Sequence, residues 1–341
     1  SARPVGWCAP ARRAAAAARN DRAHRLAPVS GVSSVRLEGV VVSDGSAAFV
    51  GGLIEDNTVL NTIGYNLQVK HQKTRPAIEG MPTETRFTII RRNRFVKEKG
   101  GSTEVAARPN VLVGHFPLEG PGSDDTYAIY GNLFFENPNE ALFQGEGNIA
   151  LYSNVFFNSH ANEFPAVAIQ PHNDIPRRVR VVFNTIVHPG VGIRLLQRDD
   201  RRVDDQRAAG NVVFAGRSID GWPAAENFTA AFDDAPTYLR SPVADLDRFS
   251  AEPRSWHMGT EREVIIAEDY PELDRDFAGR HRQAYGVGAF AGRLVPSGHD
   301  HFPGQAAAVV GDGVGDHLLA PAIDGVGDQL AGKQRPQPLV G

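Results

Sequence analysis

Two histidines, a lysine and a glutamate stand at corresponding places in three short apolar segments of this sequence. The segments are Leu67-Gln-Val-Lys-His, Val111-Leu-Val-Gly-His and Leu142-Phe-Gln-Gly-Glu. Each begins with an aliphatic residue and ends in a side chain that can carry a proton. Aligned in this way, His71, His115 and Glu146 share one position, and Lys70 holds the position before it. Imidazole, ammonium and carboxylate groups brought together can move protons or grip an anion. No short His-x-His or His-x-x-x-His spacing supports a zinc centre.

Two further segments, Val167-Ala-Ile-Gln-Pro and Ile193-Arg-Leu-Leu-Gln, fit the same frame. Strand alternation then turns Gln68, Lys70, Gln170 and Arg194 outward. Gln144 and His172 extend this polar row, while Leu112 and Phe143 break the alternation. Gly114 and Gly145 align beside Lys70 and, lacking side chains, leave room for a groove. Three insertions leave from the same side. Residues 72–86 carry Arg75, residues 116–126 carry Asp124 and Asp125, and residues 171–178 carry His172, Asn173, Asp174, Arg177 and Arg178. Arg108 precedes the second segment. Loops emerging together over one face of a repeat structure make the walls of a cleft.

The element that must hold these segments in line is a repeat. The phrase "apolar, x, Asn, x, apolar, apolar" recurs at Asn57, Asn93, Asn132, Asn154, Asn184 and Asn211, at intervals of 36, 39, 22, 30 and 27 residues. Repeats of this length indicate a solenoid whose longer turns carry insertions. The stretch Ala128–Ser159 is the turn without one. Asparagine suits a tight bend because it tolerates the left-handed backbone region. Stacked asparagines can also hydrogen-bond along the axis, as in a cross-β ladder. Turns of such a solenoid lie about 4.8 Å apart, which would place His71, His115 and Glu146 in one column. Phe134, Phe135, Phe156 and Phe157 read as core.

The chain has 341 residues, 22% charged and 41% apolar, with a formal net charge of −4. That balance argues against a nucleic-acid partner, which would call for a basic face. Cys8 is the single cysteine, so no intrachain disulfide forms. No apolar run approaches the roughly 20 residues needed to span a bilayer. The expected organisation is an Ala/Arg-rich arm over 1–30, a solenoid over 31–222, a C-terminal cap over 223–296 and a low-complexity tail over 297–341, with the terminal segments flexible. The Gly-Asp-Gly-Val-Gly-Asp stretches of the tail lack the spacing and the closing glutamate of a calcium loop. The mixed charges of Arg198–Arg207 read as a solvated loop.

The asparagine phrases resemble the repeats of right-handed parallel β-helices, the architecture of the pectate-lyase superfamily, over residues 32–222. A second likeness lies in Asp274-Arg-Asp-Phe-Ala-Gly-Arg-His-Arg followed by Gly286-Val-Gly-Ala-Phe. It is similar to the "D-x-D-G-x-x-R … D-x-G-A-x-E" ending of such proteins, with Ala278, Gly279, Gly286 and Ala291 as departures. The resemblance implies an all-β right-handed parallel β-helix that acts on carbohydrate, with secretion or a periplasmic location and a monomeric state. Its leading activity is a lyase that cleaves an acidic (uronate) polysaccharide or oligosaccharide by β-elimination.

That chemistry needs a cation on the sugar carboxylate, a base for the C5 proton and an acid for the leaving oxygen. The resemblance implies an Arg or Lys base, often assisted by Ca2+. Lys70 is then the expected base, helped by the flanking cations Arg75 or Arg108, and His115 or His71 the acid or second base. Arg75, Arg108, Arg177 and Arg178 would grip carboxylates, with Gln68, Gln144, Glu146, Gln170, His172 and Arg194 as further substrate contacts. One alternative is a glycoside hydrolase that pairs Glu146 with Glu140, Asp124 or Asp125. Another is a non-catalytic binding solenoid, in which His71, His115 and Glu146 form a polar ladder that satisfies neighbouring turns.

Overall fold

The computed structural model describes residues 40–43, 49–98, 101–196, 205–254, 258, 264–282 and 286–290, all within one compact unit, Ser1–Gly304. The Ala/Arg-rich arm, most of the loop around Arg198 and the glycine-rich tail lie outside the described residues.

Strand β1 (Val40–Ser43) precedes the first complete turn, which holds β2 (Leu53–Glu55), β3 (Thr58–Leu60) and β4 (Leu67–Val69). The second turn holds β5 (Phe87–Arg91), β6 (Arg94–Val96) and β7 (Val111–Val113), and the third holds β8 (Thr126–Tyr130), β9 (Leu133–Phe135) and β10 (Phe143–Gly145). The fourth has β11 (Ile149–Tyr152), β12 (Val155–Phe157) and β13 (Val167–Ile169). After it come β14 (Val179–Val182), β15 (Thr185–Leu195), β16 (Gln206–Ala209), β17 (Val212–Asp220) and β18 (Phe228–Ala230). Each strand pairs in parallel with its counterpart in the next turn, so β2-β5-β8-β11-β14-β16 form one face, β3-β6-β9-β12 a second and β1-β4-β7-β10-β13 a third. The long strand β15 runs through a corner and pairs with both β12 and β13, joining the second and third faces into one curled sheet. The fold is thus a parallel β-solenoid.

The asparagine ladder exists and is longer than the phrase suggests. The side-chain Nδ2 of Asn57, Asn93, Asn132, Asn154, Asn184 and Asn211 each donates to Oδ1 of the next rung, at 2.8–3.0 Å, ending on Asn227. Each backbone N–H of the rung also reaches that same oxygen. The expected left-handed backbone, however, sits one residue earlier. Asp56, Arg92, Gly131, Ser153, Phe183 and Gly210 have φ between 52° and 65°. The asparagine is selected for its amide and its predecessor makes the bend.

Aromatic residues stack from turn to turn on both sides of the second face, Phe134 and Phe156 toward the solenoid interior and Phe135 and Phe157 toward the C-terminal residues packed on its outside. Phe95, Phe134 and Phe156 form one column, with ring centroids 5.4 and 4.4 Å apart, and Phe135 lies on Phe157. These phenylalanines are buried in the core, as their pattern predicts. Residues 264–282 and 286–290 run along the outside of the solenoid. Ser153 Oγ donates to Arg275 O, Ala289 N to Thr185 Oγ1 and Gly288 N to Gly210 O, which ties this segment to three successive turns. The Asp274–Arg282 motif closes its own bend, with Asp276 accepting from Ala278 N, Arg280 N and Arg280 Nε. Arg282 reaches Ser153 Oγ and Gly288 O.

Candidate functional site

The third face carries a groove of about 270 Å³, and its walls include Gln68, Lys70, His71, Gln144, Glu146, Gln170 and His172. Seven of the residues singled out from the sequence therefore meet in one place. Their rows follow from strand register. Gln68, Leu112, Gln144, Ala168 and Arg194 are successive partners, all facing outward. Leu112 is thus part of the groove wall, not a break in the pattern.

The register corrects the sequence alignment at one turn. Phe143, not Leu142, pairs with Val111 and Val167. The ladder continues through Gly114 N to Val69 O, Glu146 N to Val113 O and Gln170 N to Gly145 O. Glu146 therefore lies level with Lys70, Gly114 and Gln170, and His71 and His115 form a separate column. Their rings stack, with centroids 5.3 Å apart and planes 8° from parallel. Gly145 faces the core, where a Cβ would meet Ile149 and Val113. At Gly114 a Cβ would lie 2.4 Å from His71 N, so the turns approach too closely there for any side chain. With Gly114 between them, Lys70 and Glu146 stand two turns apart.

Each polar group has a distinct environment. Burial, followed by the nearby His115 and Lys73 charges, holds the His71 imidazole below its ordinary range, and Glu146 opposes this in part. His71 is consequently neutral near pH 7. His115 Nδ1 lies 2.9 Å from Phe116 O, a contact that needs a proton on Nδ1 and leaves Nε2 as the basic nitrogen. Glu146 is 3% exposed. Its Oε2 accepts three consecutive backbone N–H groups, from His172, Asn173 and Asp174, at 2.8, 2.9 and 3.1 Å. This carboxylate anchors the loop that brings His172 and Asn173 to the groove.

The arginines expected to hold substrate are committed elsewhere. Arg75 is 5% exposed, is ion-paired with Asp125, and donates to Pro82 O and Glu84 O. It ties two insertions together and does not flank Lys70 as a free cation. Arg108 turns back on Ala107 O and Val105 O. Arg177 binds the carbonyls of Phe116, Pro117 and Ser123, and Arg178 binds Asp124. Arg194 continues the outward row but pairs with Asp220 at 3.1 Å. None of these five lines the groove. A guanidinium on a long loop satisfies carbonyls that the loop exposes, and the sequence does not say which carbonyls those are.

The carboxylates considered as partners of Glu146 are also outside the groove walls. Asp125 is held by Arg75 and Asp124 by Arg178, and Glu140 is likewise not among the lining residues. Among the described residues no group of three or more His, Cys, Asp or Glu side chains is placed to hold a metal ion, and none of their helices is long and apolar enough to cross a membrane. Asn173, carried by the 171–178 insertion, also lines the groove, as does Tyr65, which no motif marks. Each lies in a turn between strands, where no periodic pattern marks an inward or outward side. The chain matches no protein-family model, no curated protein sequence and no solved structure.

Proposed function

We propose that this solenoid, a right-handed β-helix of the pectate-lyase-like kind, binds an acidic polysaccharide along the groove and cleaves it by β-elimination. The handedness agrees with the strong preference of parallel crossovers. The observation that carries the reading is the adjacency of Lys70 and a neutral His71 in a groove whose walls also hold the amides of Gln68, Gln144 and Gln170 and the carboxylate of Glu146. Glutamine amides both donate and accept, and so suit sugar hydroxyls. Such polymers lie outside the cell, where the protein would act.

The roles expected of the two groups are exchanged in this proposal. With Arg75 and Arg108 committed elsewhere, Lys70 is better suited to neutralise the uronate carboxylate, which acidifies the C5 proton. His71 takes that proton, the C4–C5 double bond forms as the C4–O bond breaks, and an imidazolium protonates the departing oxygen. His115, stacked on His71, stands beside the same position. The test is incubation with pectate, alginate and glycosaminoglycans, reading the ultraviolet absorbance of the unsaturated product. Lys70→Ala and His71→Ala are each expected to lower kcat/KM by about 10²-fold or more. No unsaturated product across that panel, or undiminished activity in both variants, would overturn the proposal.

A further inference from the structure

Beside the stacked histidines lies a carboxylate whose place the reading above does not explain. Asp174 Oδ2 is buried without a hydrogen-bond partner among the described residues. It lies 4.0 Å from His115 Nδ1 and 3.9 Å from Arg177 Nε, which also lacks a hydrogen bond. A buried carboxylate oxygen in that state is costly, and native proteins rarely tolerate one without a compensating use. The loop is not free to move it away. Glu146 holds the backbone N–H of Asp174 itself, and Arg177 pins the other end to Phe116, Pro117 and Ser123.

His115 Nδ1–H therefore faces two acceptors. One is Phe116 O, which it reaches now, and the other is Asp174 Oδ2, about one ångström beyond a hydrogen bond. A small turn of the ring exchanges them. The carbonyl suits a neutral imidazole, while the carboxylate suits an imidazolium. His71 has no comparable partner. It is faced by His115, Lys73, Lys70 and Glu146, and the cations outnumber the single carboxylate.

We propose that Asp174 is a positioning residue that makes His115 the proton donor of the stacked pair and leaves His71 as the acceptor. Two like groups set apart by unlike surroundings are the usual means by which one site runs acid and base chemistry together. In the elimination, His71 takes the C5 proton and His115 delivers its Nε2 proton to the leaving oxygen. Exchange with water then returns both rings to their starting forms, so no further reactant is needed. The identity of the reaction rests on the lyase reading, but the pairing of Asp174 with His115 does not.

The full chain carrying 15N-labelled histidine tests this by NMR across a pH series. In the wild-type protein, protonation of His115 is expected to bring its Nδ1–H into a strong hydrogen bond. In Asp174→Asn that bond is lost, and protonating His115 takes roughly ten-fold more acid. Asp174→Glu, which keeps the carboxylate, restores the wild-type behaviour. The His172 signal, from the loop held by Glu146, reports whether the loop stays in place. An unchanged His115 titration in Asp174→Asn overturns the proposal, as does a loss that Asp174→Glu fails to restore. Elimination assayed on the same three proteins separates the two readings. An intact pair without unsaturated product refutes the lyase and leaves the pairing standing. Product formed with an identical pH profile in Asp174→Asn refutes the pairing.

Discussion

His188 is the residue through which acid acts most directly on the fold. It is fully buried on β15, its Nδ1 accepts the Gly190 N–H at 2.8 Å, and its Nε2 has no partner among the described residues. Burial pushes its pKa from 6.5 down to about 4. Between these values the unfolded chain binds a proton that the folded chain refuses, so stability rises with pH there and is lost as pH falls. The shift corresponds to roughly 3 kcal/mol by the time the pH reaches the lower value. Denaturant unfolding from neutral pH to mild acid is expected to show this slope, and His188→Gln to flatten it. An equal slope in both proteins would assign acid sensitivity to other groups. At this scale the sequence is a partial guide. It marks Gln68 and Lys70 as outward because Leu67 and Val69 alternate with them. It does not show that Arg75 ends on Asp125, fifty positions away, or that Glu146 spends its charge on three backbone amides.

The asparagine ladder is the element that fixes the register from turn to turn, and it does so with saturated hydrogen bonds. Asn154 illustrates the stake. Its Oδ1 accepts both the backbone N–H and the Nδ2 of Asn132, and its Nδ2 donates to Ile129 O, Tyr152 O and Asn184 Oδ1. Asn154→Ala strands all of these groups in a dry interior and is expected to cost roughly 3–5 kcal/mol in chemical denaturation. Asn227→Ala, at the more exposed end rung, is expected to cost about 1 kcal/mol. Equal costs at the two positions would mean that burial along the ladder contributes nothing. The recurring phrase made this element legible, since the six phrase asparagines occupy six successive rungs. The second strand of each turn was less legible because it follows insertions of unequal length. In the third turn Leu142 and Phe143 are adjacent and both apolar, so alternation does not choose between them. The one-residue error moved Glu146 into the histidine column, whereas the true register sets it level with Lys70.

On the scale of the whole molecule, a solenoid has a weakness that its flanking segment addresses. Each turn contacts only its neighbours, so a bare stack unfolds from its ends as a near-neighbour chain. Here residues 264–282 and 286–290 run along the outside and bind several turns at once. Glu272 pairs with Arg91 in the second turn, Pro271 O accepts from Tyr152 in the fourth, and Glu268 pairs with Arg180 just beyond it. Arg282 is placed over the Phe183 ring at 4.3 Å, while Phe277, Val287 and Phe290 join the apolar cluster that contains Phe135 and Phe157. Contacts that span non-adjacent turns couple their unfolding, because no turn opens without loosening the segment that holds the others. Ending the chain after Arg254 removes this coupling and the part of the cluster that Phe277, Val287 and Phe290 supply, while Phe249 still covers Phe135 and Phe157. The full chain is expected to unfold in one transition, and the shortened chain at lower denaturant and in more than one step, read by hydrogen exchange along β2 to β18. A shortened chain with one transition at an unchanged midpoint would show instead that the ladder and the aromatic stacks alone make the solenoid cooperative.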